Sequence, residues 1–426
     1  MGVMDKMIIN KIMLKNIVTD TGVYLLSSLI PMVLLVAINP FLAKNLSPFD
    51  YGIIGYLSSF AAIETPLIQF FITRFYLSNY YKIDLEERIQ LKTLVVQSLI
   101  LFSLFMSIVV GGGICFYHYL FNTESNIPLF PLLLFSIGAI WISGLFSFQL
   151  AEYRIERKTR EYCKYCISSG IFRVITILIC VVLLHQGAWG YEFATFVSSF
   201  VFFLITFFRL KKYIFKRIDL TLLRKLLSFC WPLAIAGCLE FFTNGYSRVL
   251  LERVGDTNEY GIYCVGDQFA RYINIFTMAL YSTFNPDLYE SVAKFNKSKL
   301  IRVCVILLAA EILVVLFYIL LAPFVIDILT VGRYIESTKY SQILSVAQIF
   351  VVGFYLVNDI TVAAGYSKSV LTTKVIASLL SALVISYLVR IGSYYGAAYG
   401  QIVTFILFIV TNILCLLFQI KKDRKK

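Results

Sequence analysis

Long apolar runs separated by short polar segments fill this chain from end to end. They fall at about 18–43, 50–76, 93–120, 128–150, 165–185, 187–208, 226–250, 258–285, 301–329, 340–364, 370–389 and 396–420. Each is continuous rather than alternating, and each is close to or above the roughly 20 residues that an α-helix needs to cross a bilayer. The pattern predicts about 12 spans joined by short loops. A transmembrane β-barrel, whose strands alternate in and out every second residue, does not fit it.

The polar segments alternate in basic content. The N-terminus and the segments around 74–92, 152–164, 209–225, 287–302, 366–374 and 421–426 hold 30 of the 38 Lys and Arg residues. The intervening segments hold six: Lys44, Arg248, Arg253, Arg333, Lys339 and Arg390. Basic loops stay on the cytoplasmic side, so both termini are expected there. An odd number of spans would destroy the alternation. This distribution also accounts for the net charge of +13 without a nucleic-acid partner. The first apolar run is too long for a cleavable signal peptide, and no small-residue cleavage site follows it. The stretch Lys6–Asn16 is basic and amphipathic. It reads either as a surface helix on the inner leaflet or as an orientation signal.

The chain also resembles itself at a separation of about 210 residues. Tyr51-Gly52-Ile53 opens span two and Tyr260-Gly261-Ile262 opens span eight. Gly187-Ala188-Trp189-Gly190 opens span six and Gly396-Ala397-Ala398-Tyr399-Gly400 opens span twelve. Six spans per repeat is an even number, so the halves enter the membrane in the same sense, as a parallel repeat about an axis along the membrane normal. The expected organisation is a cytoplasmic segment over 1–17, a six-helix bundle over 18–208, a basic cytoplasmic linker over 209–225, a second six-helix bundle over 226–420 and a basic tail over 421–426. The substrate path is expected between the bundles. Pro31 and Pro40 in span one and Pro232 in span seven interrupt the hydrogen-bond ladder. They read as gating kinks or as bends that fit packing.

Composition agrees with the pattern. The chain is 59% hydrophobic and only 15% charged, against about 25% charged in soluble domains, and its mean hydropathy is +0.80. Most of the nine cysteines lie inside apolar runs and read as small apolar residues. Cys163 and Cys166 form a lone C-x-x-C with no second pair. With only His118 and His185 as histidines, a histidine-built metal site is not expected, and no cofactor is implied. No phosphate-binding loop, zinc-protease motif or nucleophile elbow is present. The triple Gly111-Gly112-Gly113 reads as close packing or a kink. No loop exceeds about 20 residues, so there is no soluble domain to host chemistry, and the chain is not expected to be an enzyme.

Ionisable groups inside spans are the candidate site, because each costs roughly 2.5–3.5 kcal/mol at mid-bilayer. Glu64 lies near the middle of span two. Glu240, Asn244 and Arg248 share one face of span seven at i, i+4 and i+8. Asp267, Arg271 and Asn274 share one face of span eight. Arg173 lies about two turns into span five, Glu311 is central in span nine, and Asp359 lies toward the inner end of span ten. Arginine in a cavity suits an anionic substrate, since its guanidinium grips phosphate oxygens in a fork. A carboxylate there suits a coupling cation or a proton. Bland readings stand beside these. Asp267–Arg271 can be an internal ion pair that lowers insertion cost. Arg173 can snorkel to the inner interface. Glu311 can hydrogen-bond a neighbouring helix.

Leu46-Ser47-Pro48-Phe49-Asp50-Tyr51-Gly52 before span two, Asn258-Glu259-Tyr260-Gly261-Ile262-Tyr263 before span eight and Asn285-Pro286-Asp287-Leu288-Tyr289 at its end carry a family resemblance. With about 12 spans in a six-plus-six arrangement, the chain resembles the multidrug/oligosaccharidyl-lipid/polysaccharide exporter superfamily. Within it, the chain is most similar to the Wzx-type O-antigen flippases. The resemblance covers the whole chain. It implies two six-helix bundles around a central cationic cavity in a bacterial inner membrane, and movement of undecaprenyl-diphosphate-linked oligosaccharide from the cytoplasmic to the periplasmic leaflet. It implies Arg271 and Arg173 as the cavity cations; helical spacing adds Arg248, Asp267, Asn274 and Asn244 as candidates for the same cavity. It also implies a polysaccharide polymerase and a chain-length regulator as partners. Glu64, Glu240, Asp359 and Glu311 are the candidates for ion or proton coupling. Lipid II flippases of the superfamily usually carry 14 spans, which this length does not accommodate. A cation-coupled multidrug exporter is the alternative within the superfamily, although it favours an acidic cavity without buried arginines. An O-antigen polymerase is the alternative of another class, although it usually needs a large periplasmic loop.

Overall fold

The computed structural model describes residues 22–24, 26–121, 127–214, 219–254, 256–364 and 366–423. The expected amphipathic stretch Lys6–Asn16 lies outside them. The protein is an all-α polytopic membrane protein. The expected spans are helical over most of their described residues. In chain order the helices are α1 (Gly22–Asn45), α2 (Pro48–Ile68), α3 (Ile72–Asn79), α4 (Leu85–Leu120), α5 (Leu132–Ile155), α6 (Thr159–Leu183) and α7 (Gly187–Ile214). They continue with α8 (Leu220–Cys238), α9 (Phe241–Asn244), α10 (Tyr246–Glu252), α11 (Thr257–Arg271), α12 (Ile273–Ala293), α13 (Lys297–Thr330), α14 (Thr338–Ala363) and α15 (Ser367–Asp423).

Nine helices among the described residues are long and apolar enough to cross a membrane, and the pair α2 and α3, bent by 46°, passes the same test taken together. Where the count departs from the expected segments, the sequence supplies the reason. Expected span eight is divided at Tyr272 into α11 and α12, and α11 carries Glu259, Asp267 and Arg271. Expected spans eleven and twelve run together as the 57-residue α15, interrupted at Ser393 with φ 45° and ψ −121°. At roughly 1.5 Å per residue a straight helix of that length would far exceed a bilayer core of about 30 Å, so the break is required.

Local signals set the helix starts. Ser47 and Asp50 form a reciprocal cap on α2: the Asp50 carboxylate accepts from the Ser47 N–H at 2.8 Å, and the Asp50 N–H donates to the Ser47 hydroxyl at 3.1 Å. The Asp256 carboxylate caps α11, accepting from the N–H groups of Asn258 at 3.1 Å and Glu259 at 3.0 Å. The Asn296 side chain caps α13 through the Lys299 N–H at 3.0 Å.

The chain packs into two compact units. One comprises the described residues up to Phe41, those of Ile68–Gly111 and those of Leu134–Trp231. The other comprises those of Leu42–Leu67, those of Gly112–Leu133 and those from Pro232 onward. Packing therefore does not follow chain order. Each crossing between units lies within three residues of a helix-breaking position: Pro40, Pro66, the Gly111–Gly113 run, Pro131 and Pro232.

The first unit is built around buried Tyr76, Leu94, Val95, Phe148 and Leu226. Its Glu152 carboxylate is paired, accepting from the Lys92 ammonium and from the Gln149 amide at 3.0 Å.

In the second unit the repeated Tyr-Gly-Ile motifs lie against each other. A Cβ on Gly52 would meet the Tyr260 ring at 3.0 Å, one on Gly55 would meet Cys264 Sγ at 2.3 Å, and one on Gly261 would meet the Pro48 carbonyl oxygen at 1.8 Å. Small residues spaced along both helices permit this backbone approach. Without them α2 and α11 could not cross so closely.

Candidate functional site

The site grows from a break in expected span seven. A continuous helix would occupy the Asn244 carbonyl with the N–H of Arg248. Instead Gly245 adopts φ −127° and ψ −36°, and the Arg248 N–H bonds the Gly245 carbonyl at 3.1 Å. Glycine is required here because a Cβ would stand 2.3 Å from the Ser59 carbonyl oxygen of α2. The freed Asn244 carbonyl accepts from Arg248 Nη2 at 2.6 Å and from Arg271 Nη2 at 3.3 Å.

Both arginines also converge on one carboxylate. Arg271 Nε donates to Asp267 Oδ2 at 2.9 Å, and Arg248 Nη1 stands 3.6 Å from the same oxygen. Arg248 Nη1 further donates to the Ser58 hydroxyl at 2.9 Å, and Arg271 Nη1 to Asn244 Oδ1 at 3.3 Å. The side chains of Asp267 and Arg248 are buried at 4% and 11% exposure, whereas Arg271 is 29% exposed. Two guanidiniums against one carboxylate leave the cluster with a net charge of +1. The exposed part of that charge is on Arg271.

Arg271 looks into a cavity inside the second unit. Asn244, Asn274 and Glu240 share its wall, with Gln348 and Tyr355 from α14 and Lys374, Gln401 and Phe405 from α15. The Lys374 ammonium stands 3.5 Å from the Glu240 carboxylate. Arg271, Asp267, Arg248, Asn244, Asn274 and Glu240, all singled out in the sequence, are thus brought to one site.

The other sequence candidates are not part of it. Arg173 belongs to the first unit, where it lies within electrostatic range of Tyr191 and buried Glu192. Glu64 is fully buried on α2 and does not line the cavity. Glu311, also buried, accepts from the Thr277 hydroxyl at 2.8 Å, which is the helix-to-helix bond foreseen as its bland reading. Asp359 accepts from the Tyr281 hydroxyl at 2.6 Å, the Asn285 amide at 3.3 Å and the Asn358 amide at 3.2 Å.

A scan of family models matches residues 41–339 to the model described as "Polysaccharide biosynthesis protein". The chain belongs to the polysaccharide biosynthesis protein family. A search of curated proteins found no match. Among solved structures, the chain is similar to an inward-facing multidrug resistance MATE family transporter of the MOP superfamily, with a TM-score of 0.69 at 14% identity over 92% of this chain and 96% of that one. It is similar to the lipid II flippase MurJ in an inward closed conformation, with a TM-score of 0.69 at 15% identity over 93% and 87%. It is also similar to the Vibrio cholerae MATE transporter VcmN in the bent form, with a TM-score of 0.55 at 14% identity over 94% and 97%. At these identities the likeness establishes the fold.

Several residues of the site escaped the sequence reading, Lys374, Ser58, Gln348 and Gln401 among them. Lys374 was counted with a basic cytoplasmic loop because it closes the polar segment 366–374; its side chain is only 17% exposed. Ser58, Gln348 and Gln401 are uncharged. Their signal was a polar side chain inside an apolar run, weaker than a charge but of the same kind.

Proposed function

We propose that this protein is a flippase that carries undecaprenyl-diphosphate-linked oligosaccharide repeat units, of O-antigen or a related surface polysaccharide, from the cytoplasmic to the periplasmic leaflet by alternating access. The observation that supports this reading best is the net-positive Arg248–Asp267–Arg271 cluster, with Arg271 presented to a cavity. Asp267 orients the Arg271 guanidinium through Nε and leaves the Nη atoms with long bonds that a phosphate oxygen can replace. The family match to polysaccharide biosynthesis and the fold shared with transporters and a flippase support the same direction. Both termini lie in the cytoplasm, and an ion gradient or the membrane potential drives the cycle. The six-plus-six division of the chain and a role for Arg173 in the same substrate path belong to this proposal.

The cation-coupled multidrug exporter is favoured by one feature, the half-exposed Glu240 carboxylate in the cavity. Lys374 already supplies its counter-charge, which weighs against a cation site. Deleting the gene in its native host tests the two. The flippase predicts loss of surface polysaccharide, with complete single repeat units accumulating on the carrier lipid at the cytoplasmic face. Intact polymer with raised drug sensitivity would favour the exporter. Single units accumulating at the periplasmic face would favour a polymerase.

A further inference from the structure

We propose that the cavity of the second unit is a subsite for one neutral sugar ring of the transported head group. The inference rests on the flippase reading and adds where the saccharide, as distinct from the diphosphate, is held.

Four amide side chains, of Asn244, Asn274, Gln348 and Gln401, face one small cavity together with the rings of Tyr355 and Phe405. Amides donate and accept at once, which matches ring hydroxyls that do the same. Aromatic faces take the C–H surface of a pyranose. The cavity has a volume of about 90 Å³, room for a small cluster of waters at about 10–15 Å³ each, the space one sugar ring displaces.

Gln348 carries the argument furthest. It is 3% exposed, it lines the cavity, and its side-chain oxygen accepts no hydrogen bond from the described residues. A buried acceptor without a donor is unfavourable. A ligand hydroxyl that reached this oxygen from the cavity would supply the donor. Lys374 is paired with Glu240, so the unbalanced charge of the cavity is that of the Arg248–Asp267–Arg271 cluster, and the amide-lined part suits a neutral ring. Arg271 lines the same space, where a diphosphate joined to the sugar would compete for its Nη atoms against their long bonds to Asn244.

The test uses the full-length protein in detergent and two probes. One is the lipid-linked saccharide extracted from the native host after deletion of this gene. The other is synthetic polyprenyl diphosphate of the same chain length, which carries no saccharide. The wild type is expected to bind the saccharide-bearing lipid more tightly. Gln348→Met is expected to lose about tenfold in affinity for it, the worth of one good hydrogen bond. The same variant should bind the bare lipid unchanged and melt at the same temperature or higher, since an unpartnered acceptor has been removed. Gln401→Met, on a separate helix, repeats the test should Gln348→Met not fold. An equal loss on both lipids, or no loss on either, overturns the subsite while leaving the flippase reading intact. No binding of either lipid by the wild type overturns both.

Discussion

The carbonyl oxygen of Pro48 lies 1.8 Å from where a Cβ on Gly261 would stand. The obstacle is backbone at the start of α2, which cannot swing aside as a side chain can. Gly261→Ala is therefore expected to force α2 and α11 apart, with an overpacking cost of about 1–3 kcal/mol or more. Thermal unfolding of the detergent-purified variant would report it as a lower midpoint. Gly112→Ala is the control, because nothing lies within 4 Å of its Cβ position. Equal midpoints for the two variants would mean that the repeat motifs do not meet in this way.

Asp267 holds two guanidiniums, so removing its charge costs more than removing either arginine. Asp267→Asn leaves Arg248 buried beside Arg271 without a counter-ion. Breaking a buried pair from one side typically costs about 3–5 kcal/mol. We expect a clear loss of thermal stability, partly restored by Arg248→Met in the same chain. Additive losses in the double variant would show that the two residues are not coupled.

Glu311 accepts from Thr277 between α12 and α13. Glu311→Gln keeps an acceptor oxygen of the same shape and should transport normally from pH 6 to 8. Loss of the pH dependence of transport in this variant would return Glu311 to the coupling groups.

At the turn joining α12 to α13, hydrogen bonds from Lys294 and then Lys299 pull the Glu290 carboxylate down to about 2, with both ammonium groups within 2.7 Å. A carboxyl whose folded value is depressed contributes stability above its unfolded value, about 4.3, and loses it as pH falls toward 2. The contribution is therefore constant from pH 5 to 9. Glu290→Gln should change the unfolding midpoint little at neutral pH, because the group is exposed and screened by salt. Any difference between variant and wild type should vanish at acid pH. A difference that grows on acidification would contradict the assignment.

The spans were legible because apolar runs of membrane length have few other structures open to them. The Arg248–Asp267–Arg271 cluster was legible in part, since helical spacing placed Asp267 four residues from Arg271 on one face. The sequence could not show that Arg248 would share the same carboxylate. That depends on the break at Gly245, whose cause is a carbonyl of α2 close in space and remote in sequence. Lys374 was read only as a loop charge, because a lysine at a segment border looks the same whether it faces water or turns into a cavity. Arg173 was grouped with Arg271 on the family resemblance; it belongs to the first unit and Arg271 to the second.

The central claim is that Arg271 engages the anionic part of a lipid-linked saccharide. The most direct measurement is the output of surface polysaccharide from a gene-deleted host carrying Arg271→Ala or Arg271→Lys at native expression, with membrane insertion and unfolding midpoint checked for each. The account predicts that Arg271→Ala inserts and folds yet leaves lipid-linked repeat units at the cytoplasmic face, and that Arg271→Lys, a point charge in place of a fork, recovers only part of the output. Normal polysaccharide from Arg271→Ala would remove Arg271 from the site and contradict the account.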